Sequence, residues 1–545
     1  MSAADIPRLT LHFLAVLSLL CFFSGANSDD LQILLNIKTS LQNSNTNIFN
    51  SWETHNSICN FTGISCYSDG SVKAIELSNQ QLSGTLPFDS ICQLKSLQKL
   101  SVGQNSLHGP VTDDLRKCVR LQYLDLGNNF FSGEVPDLSP LNRLVSLYLN
   151  NSGFSGTFPW NSLSNMTGLV DLSLGDNQFD SSILFPAVVV ELTRLKWLYL
   201  SNCTIEGRIP PGIGNLTELL NLELSYNNMS GKIPPEISKL GKLWHLELYN
   251  NDLIGKFPAG FGNLTSLENF DASMNYLEGD LSELRSLTNL ASLQLFQNGF
   301  SGEVPAEFGE FKKLVVLSLY TNQLTGSLPQ MLGSWADFDY IDVTENFLTG
   351  PIPPDMCKQG KMKELLILQN KFSGEIPATY VNCSSMTRFR VSNNSLSGVV
   401  PSGIWGLPNV GLIDIALNQF QGPITSDIQN AKSLVQLFLS NNQLSGALPP
   451  EISKATSLIE IDLSYNQFSG DIPATIGELK QLGWLALQNN NFSGNIPARI
   501  GELKQLERLA LQNNNFSGDI LATIGQLKQL RRLALQNNNF SGTIE

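Results

Sequence analysis

Charge and histidine are scarce in this chain of 545 residues. Charged side chains make up 15%, well below the usual quarter. The balance is acidic, with a formal net charge of -14. Such a surface excludes recognition of nucleic acid or anionic lipid by bulk charge. There are four histidines, and His12 falls in a leading segment expected to be removed. A three-histidine metal site would need His55, His108 and His245, which are scattered, so neither metal nor cofactor is expected. Beyond residue 28 no stretch approaches 18 consecutive apolar residues, so no membrane span is expected in the mature chain. The glycine pairs Gly212–Gly214 and Gly260–Gly262 lack the third glycine of a dinucleotide loop and read as turns. Recurring carboxylates such as Asp342, Asp414 and Asp462 do not make a glycosidase without a cleft and a perturbed acid, and they read as a solvated face able to bind polar peptide groups. No enzyme is expected. Hydrophobic residues are 42%, enough for a large core.

The first 28 residues have the pattern of a secretory signal peptide. Arg8 precedes the apolar stretch Leu9–Phe23, and small residues follow from Ser24 to Ser28. Cleavage after Ala26 or Ser28 fits that pattern and implies a secreted, extracellular chain. Cys21 would leave with the signal, and seven cysteines remain. Cys59 and Cys66 bracket a short loop suited to a disulfide in an oxidising compartment. The pairing of Cys92, Cys118, Cys203, Cys357 and Cys383 stays open, but an odd total leaves at least one thiol free.

Leucine and asparagine are abundant, and they recur with a period near 24. One clear copy runs from Leu434 to Pro449, with Leu437, Leu439, Asn442, Leu444, Gly446 and Leu448 at fixed offsets. The asparagine position can be followed from Gln80 to Asn538 through about 20 copies, 17 of them with Asn. Gln80, Ser152 and Cys203 are the exceptions. From Cys203 to Asn538 the period of 24 is unbroken except for the step from Asn275 to Asn298, which is one residue short. The pattern is that of the leucine-rich repeat, in the form with the plant-type extension Ser-Gly-x-Ile-Pro. Each alternating segment predicts a short strand whose leucines point inward. Stacked copies predict an α/β solenoid, a right-handed superhelix with a parallel β-sheet on its concave face. The asparagines should hydrogen-bond backbone groups that burial would otherwise leave unpaired. Residues 29–71 should form an N-terminal cap, in which Asp29 and Asp30 cap a helix running to about Gln42 with Leu31, Leu34, Leu35 and Lys38 along it. Residues 72–545 are then repeats. The last three are near copies, and no C-terminal cap is expected.

The cap around Trp52, Cys59 and Cys66, together with the plant-type repeats, resembles the ectodomain of a plant leucine-rich-repeat receptor kinase, most nearly the subfamily XI peptide-hormone receptors of HAIKU type. The resemblance covers residues 1 to about 484. It implies a small secreted peptide as ligand, with a co-receptor kinase of the SERK type as a possible partner. Arg388 and Arg390 flank the inward Phe389 and should share the concave face. Two guanidinium forks on one face suit a carboxylate, and in the resembled family such a pair binds the peptide's free C-terminal carboxylate. Other outward residues would form a groove: Tyr148, Trp197, Tyr199, His245, Tyr249, Phe296, Tyr320, Tyr340, Leu366, Leu412 and Phe438. Strands spaced roughly 4.8 Å apart put about 38 Å between Trp197 and Arg388, the reach of an extended peptide of about 12 residues. Glycans are expected on Asn60, Asn165, Asn202, Asn215, Asn228, Asn263, Asn382, Asn393, Asn491, Asn515 and Asn539. At Asn150 a glycan would crowd the groove, so full occupancy is not expected there. The competing readings are a secreted inhibitor of a cell-wall hydrolase and a truncated decoy or inactive receptor fragment.

Overall fold

The structure, a computed structural model, describes residues 29–41, 47–179, 182–520 and 522–541. The expected signal peptide lies outside them. The chain divides into two compact units between Leu253 and Ile254.

The first unit opens with a helix over residues 29–40. Its buried stripe is Ile33, Leu34, Ile37 and Leu41, while Leu31 and Leu35 stay half-exposed. The sequence expectation was thus one position out of phase. Asp30 lies within the first turn of this helix. Its carboxylate accepts the Val72 N–H at 3.3 Å and so ties the helix to the first repeat strand. Burial raises its pKa above the ordinary carboxylate value. Lys38 donates to the Trp52 carbonyl at 2.8 Å. Trp52 is fully buried, stacks on Phe61 at 5.0–5.3 Å from Phe49 and Phe61, and donates its indole N–H to the Thr62 carbonyl. Strand Ile64–Cys66 runs antiparallel to Val72–Glu76 and so closes the first repeat. Among the described residues, eight parallel strands follow in this unit, from Val72–Glu76 to His245–Glu247, and twelve in the second, from Asn269–Asp271 to Arg532–Ala534.

Each repeat adds one three-residue strand, a short flanking strand and a convex turn. The convex elements are mostly single 3-10 turns such as Ala474–Glu478 and Ala498–Glu502. Pro473 and Pro497 stand just before them in extended conformation. Proline fixes that entry, and five residues leave no room for a longer helix. The 23-residue step keeps its strand in register, Asn269–Asp271 against Ser292–Gln294. The missing residue is taken from the convex arc, where the turn Ser282–Leu284 is three residues long and is not preceded by proline.

The asparagine ladder satisfies the backbone. Asn418 accepts the Leu396 N–H at 3.0 Å and donates to the carbonyls of Val391, Ile415 and Ala416 at 3.0–3.2 Å. Ser152 and Cys203 reach the preceding turn with one bond each, to Leu126 at 2.8 Å and to Leu174 at 3.6 Å. The residue before each ladder position is left-handed, as at Asn393, Leu417 and Asn441, with φ between 54° and 57°. Asparagine tolerates that region; leucine does so at some cost. In the last repeats Phe468, Phe492, Phe516 and Phe540 form a column with rings 6.0–6.2 Å apart and near parallel.

Disulfides join Cys59 to Cys66, Cys92 to Cys118 and Cys357 to Cys383. The last two each tie one convex turn to the next. Cys203 is free and buried, and burial pushes its thiol well above the usual range. Alkylation of the native secreted chain should therefore leave Cys203 unlabelled, and unfolding without reductant should expose one thiol per chain. Labelling of more than one thiol would contradict this pairing. Loss of the Cys59–Cys66 bridge should cost about 2–4 kcal/mol, read as a lower midpoint for the cap.

Candidate functional site

In the second unit, strand Arg388–Arg390 lies between Glu364–Leu366 and Leu412–Asp414. Phe389 is fully buried, so the flanking arginines turn outward to the concave side. The register sets Arg388 between Glu364 and Leu412, and Arg390 between Leu366 and Asp414. The two forks are not free. Arg388 lies 3.6 Å from Glu364, and its side chain is 58% exposed. Arg390 lies 3.2 Å from Asp414, whose side chain is only 8% exposed. Asp414 also accepts the Ser392 hydroxyl at 2.9 Å. Arg390 is thus pinned and Arg388 loosely held. An incoming carboxylate would have to share each guanidinium with an acidic neighbour. Sequence reasoning missed Glu364 and, although it named Asp414, missed its pairing with Arg390; counting one repeat back from Arg388 and one forward from Arg390 finds both.

The groove residues do not behave alike. Leu366 is 8% exposed and belongs more to the wall than to the surface. Leu412 and Phe438 are half-buried, and Phe438 approaches Trp484 at 6.2 Å. Phe296 and Tyr320 stack at 4.4 Å, which makes one flat aromatic platform. Tyr340 leans toward Asp342, with its hydroxyl 3.5 Å away. Burial raises the pKa of both groups.

In the first unit Tyr148 packs beside Tyr123 at 5.5 Å. Trp197 and Tyr199 share one strand, and the Tyr199 hydroxyl donates to Asp176. Tyr249 meets Tyr226 edge-on at 5.0 Å. His245 Nε2 lies 3.1 Å from Glu247. Among the described residues, Glu223, His245 and Glu247 form the one group able to hold a cation. The histidine count alone hid it, because two of its members are glutamates from neighbouring strands. Asn150, at the edge of this face, accepts the Ser173 hydroxyl at 2.9 Å.

Among the described residues no helix is long and apolar enough to cross a membrane, and no kinase fold is seen among them.

Comparison with known proteins places this architecture. The family description "Leucine-rich repeat region" matches residues 187–301 and 413–544, and "Leucine rich repeat N-terminal domain" matches 27–67. Receptor-like protein kinase 7 of Arabidopsis thaliana is 57% identical over 206 residues, covering 37% of this chain and 21% of that protein. Receptor-like protein kinase HAIKU2 of the same plant is 53% identical over 193 residues, covering 34% and 19%. The matched stretches therefore span about a fifth of these curated relatives. Among solved structures, the Arabidopsis receptor kinase HAESA, in complex with the peptide hormone IDA and the co-receptor SERK1, superposes with a TM-score of 0.87. It is 38% identical, over 94% of this chain and 91% of that one. With that likeness along nearly all of both chains, this protein belongs to the leucine-rich-repeat ectodomains of the plant receptor-like kinases.

Proposed function

We propose that this chain is the extracellular, ligand-recognising part of a receptor kinase and binds a small secreted peptide on its concave strands. In this reading Arg388 and Arg390 hold the peptide's free C-terminal carboxylate. The observation that carries it is the pair itself: two outward guanidinium groups on one strand, one pinned by Asp414 and one largely exposed. A pinned Arg390 is already oriented, so less side-chain freedom is lost on binding. The Phe296–Tyr320 platform and Tyr340, in the same unit, offer rigid amphipathic surface of the kind enriched at binding sites. The likeness to HAESA in complex with a peptide hormone supports the same reading. HAESA's complex with SERK1 makes a co-receptor kinase the partner to test once a ligand is found.

Calorimetry on the secreted chain from residue 29, against synthetic peptides of about 12–15 residues made as free acids and as amides, tests the proposal. Binding of at least one free acid, with its amide at least tenfold weaker, is the expected result. Acid and amide bound equally, or binding of a cell-wall hydrolase with no peptide bound, would overturn it.

A further inference from the structure

A second site, independent of the arginines, lies in the first unit. Strands Asn221–Glu223 and His245–Glu247 pair in parallel, with Asn221 opposite His245 and Glu223 opposite Glu247. The alternation that buries Leu222 and Leu246 turns all four polar side chains to the same face. Two carboxylates directly opposite each other on adjacent strands repel unless something neutralises them. Burial pushes the Glu223 carboxyl up from its usual value, and the nearby Glu247 charge pushes it the same way.

We propose that Glu223, His245 and Glu247 bind one divalent transition-metal ion of the zinc or manganese class. One ligand atom from each residue lies within 4.8 Å of the other two. His245 Nε2 and Glu247 Oε1 are 3.1 Å apart. Two donors each about 2.1 Å from one ion, at roughly a right angle, stand about 3.0 Å apart. The observed spacing is that of neighbouring ligands. An imidazole with two carboxylates suits a borderline ion better than calcium, which takes an all-oxygen shell.

Two orphaned atoms support the assignment. His245 Nδ1 and Asn221 Oδ1 are both buried, and neither has a hydrogen-bond partner among the described residues. Asn221 is 1% exposed, and its amide N–H donates to Glu223 Oε1 at 2.6 Å. Its amide therefore abuts the cluster. A metal on Nε2 fixes the imidazole proton on Nδ1, a buried atom with no hydrogen-bond partner among the described residues. Metal-bound histidines commonly donate that second N–H to an acceptor. Asn221 would then be a positioning residue, orienting Glu223 through its amide N–H.

The test uses untagged secreted chain, stripped with chelator and titrated with zinc or manganese chloride in a calorimeter. One ion per chain is expected. Glu247→Gln, Glu223→Gln and His245→Gln should each weaken binding at least tenfold, and Asn221→Leu by about 10–100-fold. The control His108→Gln, at an exposed position, should bind as wild type. Metal should raise the thermal midpoint of wild type and of the control but not of the ligand variants. The Glu247 side chain is 27% exposed, so Glu247→Gln decides the matter if Asn221→Leu or Glu223→Gln fails to fold. No ion bound by wild type, or unchanged affinity in Glu247→Gln and His245→Gln, would overturn the assignment.

Discussion

Replacing Arg388 and Arg390 together by alanine is expected to weaken a free-acid peptide by about 100- to 10,000-fold and leave its C-terminal amide almost unchanged. Each charge-assisted bond is worth about 1.5–3 kcal/mol, and about 1.4 kcal/mol corresponds to tenfold in affinity. The single variants should separate. Arg388 is mostly exposed, and its ion pair with Glu364 is a surface pair worth about 0–1 kcal/mol. Arg388→Ala should therefore lower affinity without lowering stability. Arg390→Ala strips the nearly buried Asp414 of its cation and should lower both. Adding Asp414→Asn should recover the stability and not the binding. Glu364→Gln should tighten the free acid, because it removes a competitor for the Arg388 fork. Calorimetry and chemical denaturation on the same five proteins read these outcomes. Equal losses for acid and amide would reject the carboxylate clamp.

The largest effect on stability should come from a ladder position. Asn418→Leu is expected to cost about 3–5 kcal/mol. It removes four hydrogen bonds and leaves the Leu396 N–H unpaired, while the Val391 carbonyl loses one of its two donors and keeps Asn394. Each buried, unpaired backbone group costs about 1–3 kcal/mol. The substituent is also apolar where Asn418 is 8% exposed, so little water can replace the lost partner. Denaturant unfolding of the secreted chain checks it. A shift below about 0.5 kcal/mol, the usual range for a neutral surface change, would mean that the ladder is not what holds successive turns together.

The repeat was legible because one period encodes three things at once. The leucines set the strand phase, the ladder asparagine marks the turn, and proline opens the convex arc. Paired asparagines such as Asn393–Asn394 and Asn441–Asn442 carried a further signal. The first of each pair supplies left-handed backbone and the second supplies the ladder bonds. The outward direction of Arg388 and Arg390 followed from the buried Phe389 between them. Their surroundings needed the register between repeats, which pairs residues 24 apart. The same register brings Glu223 beside Glu247, a pairing invisible in a count of histidines. The cap was least legible. Its helix has no repeat to fix its phase, and Asp30 serves a contact with Val72 that lies 42 residues away.

The column of Phe468, Phe492, Phe516 and Phe540 bears on how this gene can change. The seams between these turns are built from the same side chains: Asn513 donates to Asn489 and Asn537 to Asn513, each across 24 residues. Insertion or deletion of one whole unit of coding sequence would recreate a seam of the same composition. Misaligned recombination in this stretch should therefore be nearly silent for folding while moving everything downstream along the stack by one strand spacing, about 4.8 Å. Alleles differing in the number of these units are the expected trace, and they would alter reach along the stack rather than the chemistry at Arg388 and Arg390.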